Sequence, residues 1–179
     1  EIKTHFDRLS SGYPCNFSDK KSGKNYQFRT RLELVSSLAK GAKGSLLDCA
    51  CGSGEITADV LKAGSFNNAI VADISGKMLG LAQSRIAEAA SSSDVQYQQV
   101  NIFDYKPVEG QQFNLVLCLG LVAHTGALTE LLAHLSTMLA PGGKIILQSS
   151  LLDHWGIRFV RFLTQKKYRQ RHGYGIHYF

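Results

Sequence analysis

The run Leu46-Leu47-Asp48-Cys49-Ala50-Cys51-Gly52-Ser53-Gly54-Glu55-Ile56 carries an apolar stretch straight into a turn of small residues. Asp73 closes the next apolar run, 19 residues after Gly54. Small residues at a strand end let backbone approach a ligand closely, and a helix opening there presents N–H groups without helical partners. A carboxylate ending the following strand is placed to accept from ribose hydroxyls. The chemistry these residues suit is the capture of a nucleoside-bearing cofactor.

The spacing narrows the choice. Ala50-Cys51-Gly52-Ser53-Gly54 is tighter than the dinucleotide pattern G-x-G-x-x-G, and Glu55 stands where a further glycine would be needed. A carboxylate there repels a pyrophosphate. The chain has no Gly-Lys-Ser/Thr run to serve a nucleoside triphosphate. An adenosine without phosphates fits better, which points to S-adenosylmethionine, with S-adenosylhomocysteine as its product.

Strand and helix patterns alternate after residue 28 to position these residues. Leu32, Leu34, Val35 and Leu38 have helical spacing within 28–39, and residues 45–49 read as the first strand. A helix over 54–63 ends at Gly64, and 69–73 is the second strand. Ser75 is the expected N-cap of a helix through Ala90. Residues 95–102 alternate partly, as an outer strand would, whereas 113–119 is almost wholly apolar and suits a central one. A helix over 128–139 stops at Pro141-Gly142-Gly143, a turn before a fifth strand at 144–148. The order predicts an α/β doubly wound, mostly parallel Rossmann-like sheet with helices on both faces. Ligands of such sheets bind beyond the carboxyl ends of the strands, where the turn at 50–54, Asp73, Asn101 and Cys118–Gly120 converge.

Taken together, these motifs resemble the class I S-adenosylmethionine-dependent methyltransferases, in the branch that modifies small molecules. The resemblance covers about residues 28–150. It implies that Asp48 and the turn Ala50, Cys51, Gly52, Ser53 and Gly54 hold the amino group and methionine part of the cofactor. It implies that Asp73 accepts both ribose hydroxyls and that Ile74 and Met78 flank the adenine. Asn101 would accept from the adenine amino group, with backbone of Ile102 and Phe103 beside the ring. Cys118 and Leu119 belong to the fourth-strand motif beside the transferred methyl, and Arg29 or Arg31 would hold the cofactor carboxylate. Three positions depart from the family pattern. Ala50 replaces a glycine and needs φ below zero, Asn101 replaces an aspartate but can still accept, and Asn114 replaces an aspartate at a structural position.

His124 follows the fourth strand on the cofactor side and is the candidate general base, against a structural reading in which it packs the loop. His134 falls within a helical run and is expected at its surface. The fourth strand lacks an Asn-Pro-Pro-Tyr-like segment, which argues against methylation of base or glutamine amino groups. Residues 1–28 hold Phe6, Tyr13, Phe17 and Tyr26 and read as a lid, residues 29–150 as the cofactor-binding domain, and residues 151–179 as an acceptor-side cap.

The net charge of +6 belongs mainly to that last segment, which has six Lys and Arg against Asp153 alone. A small-molecule acceptor is the leading partner, with oxygen ahead of nitrogen or carbon. The basic segment leaves open nucleic acid, a membrane surface or an acidic substrate, and with them an RNA or protein methyltransferase. A non-catalytic binding module also stays open, because strands normally expected after the fifth are missing and truncation or a partner or dimer at that edge would account for it. The 4 Cys lack metal-ligand spacing and read as reduced core thiols, so no metal is expected. No apolar stretch approaches the roughly 20 residues of a bilayer span. A cytoplasmic location is expected.

Overall fold

A computed structural model describes residues 1–12, 23–87 and 94–149, together with Gln165, Arg169 and Gln170. Its elements in chain order are α1 (Ile2–Leu9), α2 (Gly23–Ala39), β1 (Lys43–Asp48), α3 (Glu55–Ala63), β2 (Ser65–Asp73) and α4 (Gly76–Ala87). They continue with β3 (Asp94–Gln99), a 3-10 turn (Ile102–Asp104), β4 (Phe113–Leu119), α5 (Val122–Thr125), α6 (Leu128–Ser136) and β5 (Leu139–Gln148). The lid residues Tyr13 and Phe17, the helix extension 88–90 and nearly all of the 151–179 cap lie outside the described residues.

The five strands are all parallel and ordered β3-β2-β1-β4-β5. This is the doubly wound arrangement expected from the alternation of patterns. Successive strand residues point to opposite faces, and both faces are buried. Leu46, Ala69, Val71, Leu115 and Leu117 pack with Val35, Ile56, Val60, Leu79 and Ile86 from α2, α3 and α4. Leu47, Ile70, Phe113, Val116 and Cys118 pack with Ile102, Val122, Leu131 and Leu135 on the other face. The chain reverses its winding direction between β1 and β4, which opens a crevice at their carboxyl ends.

Several boundaries differ from the pattern reading, each for a local reason. β2 begins at Ser65 because Ser65 and Phe66 pair with Lys43 and Gly44 before the apolar run starts. Asn114 Oδ1 accepts from the Ser45 N–H at 2.9 Å, beside a register shift in β1, which gives that residue a structural task. β3 ends at Gln99, and Asn101 caps the following turn by accepting from the Phe103 N–H at 3.3 Å. The Pro141-Gly142-Gly143 stretch is a bulge inside β5 rather than a turn before it, since Leu139 already pairs with Phe113 and Lys144 with Leu115. The buried face of α2 includes Val35 and Ala39, with Phe28 and Leu32 packed against the same core. Leu34 and Leu38 point outward at 58% exposure each.

Candidate functional site

A cleft of about 340 Å3 opens at the carboxyl ends of β1, β2 and β4, within the range usual for small-molecule sites. Its floor is the turn after β1. Gly52 and Gly54 adopt φ of +54° and +78°, which side-chain-bearing residues rarely tolerate. Gly54 has a second constraint, because a Cβ there would stand 2.8 Å from Ala82 of α4. Ala50 meets its condition, since no described residue other than glycine has a positive φ. Arg85 of α4 braces the turn by donating to the Ser53 carbonyl and pairing with Glu55, whose carboxylate also accepts from Ser53 Oγ at 2.6 Å.

Two buried carboxylates line the cleft. Asp73 accepts from the Gly52 N–H at 2.9 Å and the Ser75 N–H at 2.8 Å, one on each oxygen. Each oxygen keeps a lone pair for a ligand donor. Asp48 accepts from Thr57 Oγ1 at 2.6 Å and from the Ala50 N–H at 3.4 Å. Burial drives its carboxyl up to about 6, against the pull of those two bonds. Burial also raises Asp73, while the Ser75 and Gly52 N–H groups oppose the shift.

The cleft brings together Arg31, Asp48, Ala50, Cys51, Gly52, Ser53, Asp73, Ile74, Asn101, Ile102, Phe103, Leu119 and His124. Four other sequence candidates lie off its wall. Arg29 is exposed on α2, and Gly54 turns its α-carbon to α4. Met78 is fully buried three residues beyond the capping hydroxyl of Ser75, and Cys118 is fully buried in the core on the α6 side of the sheet. Burial also holds the Cys49 and Cys51 thiols well above their ordinary values, so neither is a ready nucleophile. No group of three metal-binding side chains comes together among the described residues.

Further residues complete the site, Phe6 from the segment read as a lid among them. Ile2 and Phe6 of α1 line the cleft, and the Phe6 ring meets His124 edge-on at 5.2 Å. His134 is half-buried rather than a surface residue of α6: its ring stacks on Phe103 at 6.5 Å and its Nε2 lies 2.8 Å from the Ile102 carbonyl. A carbonyl only accepts, so Nε2 carries a proton and the ring braces the 101–103 loop. Two buried polar atoms in the lining, Arg31 Nε and Thr125 Oγ1, lack a hydrogen-bond partner among the described residues. Arg31 is otherwise held by Gln148 Oε1 at 3.1 Å from Nη1 and by the Phe28 ring, 5.3 Å below the guanidinium. Buried polar atoms without partners are costly, and in a cleft wall they mark where ligand atoms belong.

A parallel sheet in this order, with its cleft at the carboxyl ends of the strands, defines a doubly wound α/β protein. Residues 46–143 match the family described as "Methyltransferase domain", and the chain belongs to it. It is 27% identical over 119 residues to a ubiquinone biosynthesis O-methyltransferase of Xanthomonas axonopodis pv. citri (strain 306), covering 66% of this chain and 48% of that protein. It is 24% identical over 120 residues to the protein of the same name from Aeromonas salmonicida (strain A449), covering 66% and 49%. The chain thus spans about half the length of these curated relatives. Among solved structures, the N-methyltransferase NodS of Bradyrhizobium japonicum WM9, in complex with S-adenosyl-L-homocysteine, shares the fold. Its TM-score is 0.63 at 16% identity, over 83% of this chain and 73% of that one. The magnesium protoporphyrin IX methyltransferase of Synechocystis PCC 6803, with bound S-adenosylmethionine, gives 0.64 at 18% identity, over 92% and 84%.

Proposed function

We propose that the cleft binds S-adenosylmethionine and that the chain transfers its methyl group to an oxygen of a small-molecule acceptor. The observation that carries this reading is Asp73, a buried carboxylate in the cleft wall whose oxygens are each half-used by backbone N–H groups. Two spare lone pairs on one rigid carboxylate match a vicinal diol. The names of the relatives, O-methyltransferases of ubiquinone biosynthesis, support oxygen as the acceptor atom. When bound, the cofactor supplies a methyl group already activated on a sulfonium.

The rest of the work falls to the chain's own residues. Ile74 offers an apolar wall for the adenine, and the Asn101–Phe103 loop, braced by His134, presents its polar edge. Asp48 and the turn at 50–53 face the ammonium end, and the spare Nε of Arg31 faces the carboxylate. Leu119, Gly120, His124 and Thr125 wall the acceptor end. Holding the acceptor in line for attack lowers the barrier by roughly 7–11 kcal/mol in favourable cases. His124 takes the acceptor's proton on a ring nitrogen.

Methyl-labelled S-adenosylmethionine with a panel of phenols and catechols tests this reading. Label is expected in the low-mass hydroxyl compounds, and His124→Gln is expected to lower kcat by roughly a hundredfold. Its affinity for S-adenosylhomocysteine should stay within about twofold of the parent. Label appearing in RNA or protein alone would contradict the small-molecule acceptor. An unchanged kcat in the variant would remove His124 as the base.

A further inference from the structure

The N-terminal helix α1 lies along the cleft and touches the segments that follow β4 and β2. On one side Phe6 meets His124, after β4, with ring centroids 5.2 Å apart. On the other, Asp7 Oδ1 accepts from Ser75 Oγ at 2.6 Å. Ile2 and Phe6, from successive turns of the same helix, line the cavity between these two contacts. Lys3 pairs with the second oxygen of Asp7 at 3.0 Å, one helical turn away.

Ser75 is an unusual anchor. It is fully buried, and each of its polar groups has a task. Its N–H donates to Asp73 Oδ1 at 2.8 Å. Its hydroxyl oxygen accepts from the Met78 N–H at 3.2 Å, capping α4, while its hydroxyl hydrogen goes to Asp7. A hydroxyl has one hydrogen, so the bond to Asp7 fixes its rotor and leaves the lone pairs to the cap. One residue therefore joins three things: the acid that faces the ribose, the start of α4, and the roof of the cleft.

We propose that Asp7 is a positioning residue of the cofactor site, tying α1 over the cleft through Ser75 and thereby slowing cofactor escape. This inference rests on the nucleoside reading given under Proposed function. Asp7 does not itself line the cavity, so its effect is exerted through the helix and through Ser75. Release of a bound nucleoside requires α1 to lift, which breaks the Asp7–Ser75 bond and separates Phe6 from His124. Entry passes through the same opened state, but a bound nucleoside adds its own contacts with Ile2 and Phe6 to the closed one, so the latch slows departure more than arrival. The same bond holds the Asp7 carboxyl below its usual range, with Lys3 adding to the effect. The latch is therefore charged throughout the neutral range.

The test is the binding kinetics of S-adenosylhomocysteine to the immobilised chain by surface plasmon resonance. Asp7→Ala is expected to raise the dissociation rate roughly tenfold and to leave the association rate within about threefold, as loss of a charge-assisted hydrogen bond would. Asp7→Asn keeps an oxygen that can accept from Ser75 and is expected to recover most of the slow dissociation. Phe6→Ala removes the other anchor and should also speed dissociation, with the double variant falling short of the product of the two effects. Asp7→Ala takes the acceptor from a buried hydroxyl and is expected to unfold a few degrees below the parent, so the rates are compared at a temperature where both proteins are fully folded. Binding by the parent with unchanged rates in Asp7→Ala would overturn the latch and leave the nucleoside reading standing. Failure of the parent to bind S-adenosylhomocysteine would remove both.

Discussion

Asp48 and Asp73 stand in one wall of the cleft, both buried, and neither forms an ion pair among the described residues. That arrangement costs stability and gains a site for a cation. For Asp48 the sign is definite. Its folded pKa, about 6, lies above its ordinary 3.8. As pH rises through that interval, the unfolded chain gives up a proton that the folded chain retains, so stability falls. The loss approaches about 3 kcal/mol above pH 6. Urea unfolding of Asp48→Asn should lack this decline between about pH 4 and 7, since the amide oxygen still accepts from Thr57. Ligand binding should move the opposite way, because an ammonium group is held by the ionised form. Affinity for S-adenosylhomocysteine is expected to rise as pH passes through about 6 in the parent and to stay flat in Asp48→Asn, read by calorimetry. Both acids were legible in the sequence because each ends an apolar run. Thr125, Arg85 and His134 were not, since an isolated hydroxyl, cation or imidazole in a helical run carries no pattern of its own.

At the scale of elements, the turn between β1 and α3 is held by contact with α4 on one side and open to the cleft on the other. The two glycines in it should therefore respond differently to the same substitution. Gly54→Ala meets both an unfavourable φ and a collision with Ala82, and is expected to cost about 2 kcal/mol or more in chemical denaturation. Gly52→Ala has open space for its Cβ, so its expected cost is the backbone term alone, about 1 kcal/mol. Arg85→Met keeps the packing of the side-chain stem but releases Ser53 and Glu55. It should weaken S-adenosylhomocysteine binding several-fold while changing the unfolding midpoint little. The existence and order of β1 to β5 could be read from apolar runs and helix caps, because burial on both faces leaves that mark on parallel strands. The boundaries could not. Polar residues that pair at the start of β2, and a bulge that carries Pro141 within β5, are set by neighbouring strands rather than by local sequence.

For the whole molecule, the doubly wound topology explains why residues from 48 to 125 meet in one cleft: every contributing segment except α1 and α2 lies at or follows the carboxyl end of a strand. That convergence was legible in the sequence, apart from Cys118, which the sheet buries in the core. For α1 the sequence offered a lid over residues 1–28 with Phe6 in it, whereas Ile2 and the Asp7–Ser75 contact acquire their meaning only when the helix is laid across the crevice. Among the described residues no helix is long and apolar enough to cross a membrane. A ligand that binds only the folded state stabilises it by about 2.7 kcal/mol at a hundredfold excess over Kd. For a chain of 179 residues that corresponds to a rise in Tm of roughly 5–10 °C with S-adenosylhomocysteine. Adenosine, lacking the amino-acid end, should raise it less. The measurement that bears most directly on the account is calorimetric titration of S-adenosylhomocysteine into the parent chain and Asp73→Ala. Saturable one-to-one binding is expected in the parent, with at least a tenfold weaker Kd in the variant, roughly the loss of one charge-assisted hydrogen bond or more. Equal affinity in the two proteins, or no binding by the parent, would contradict it.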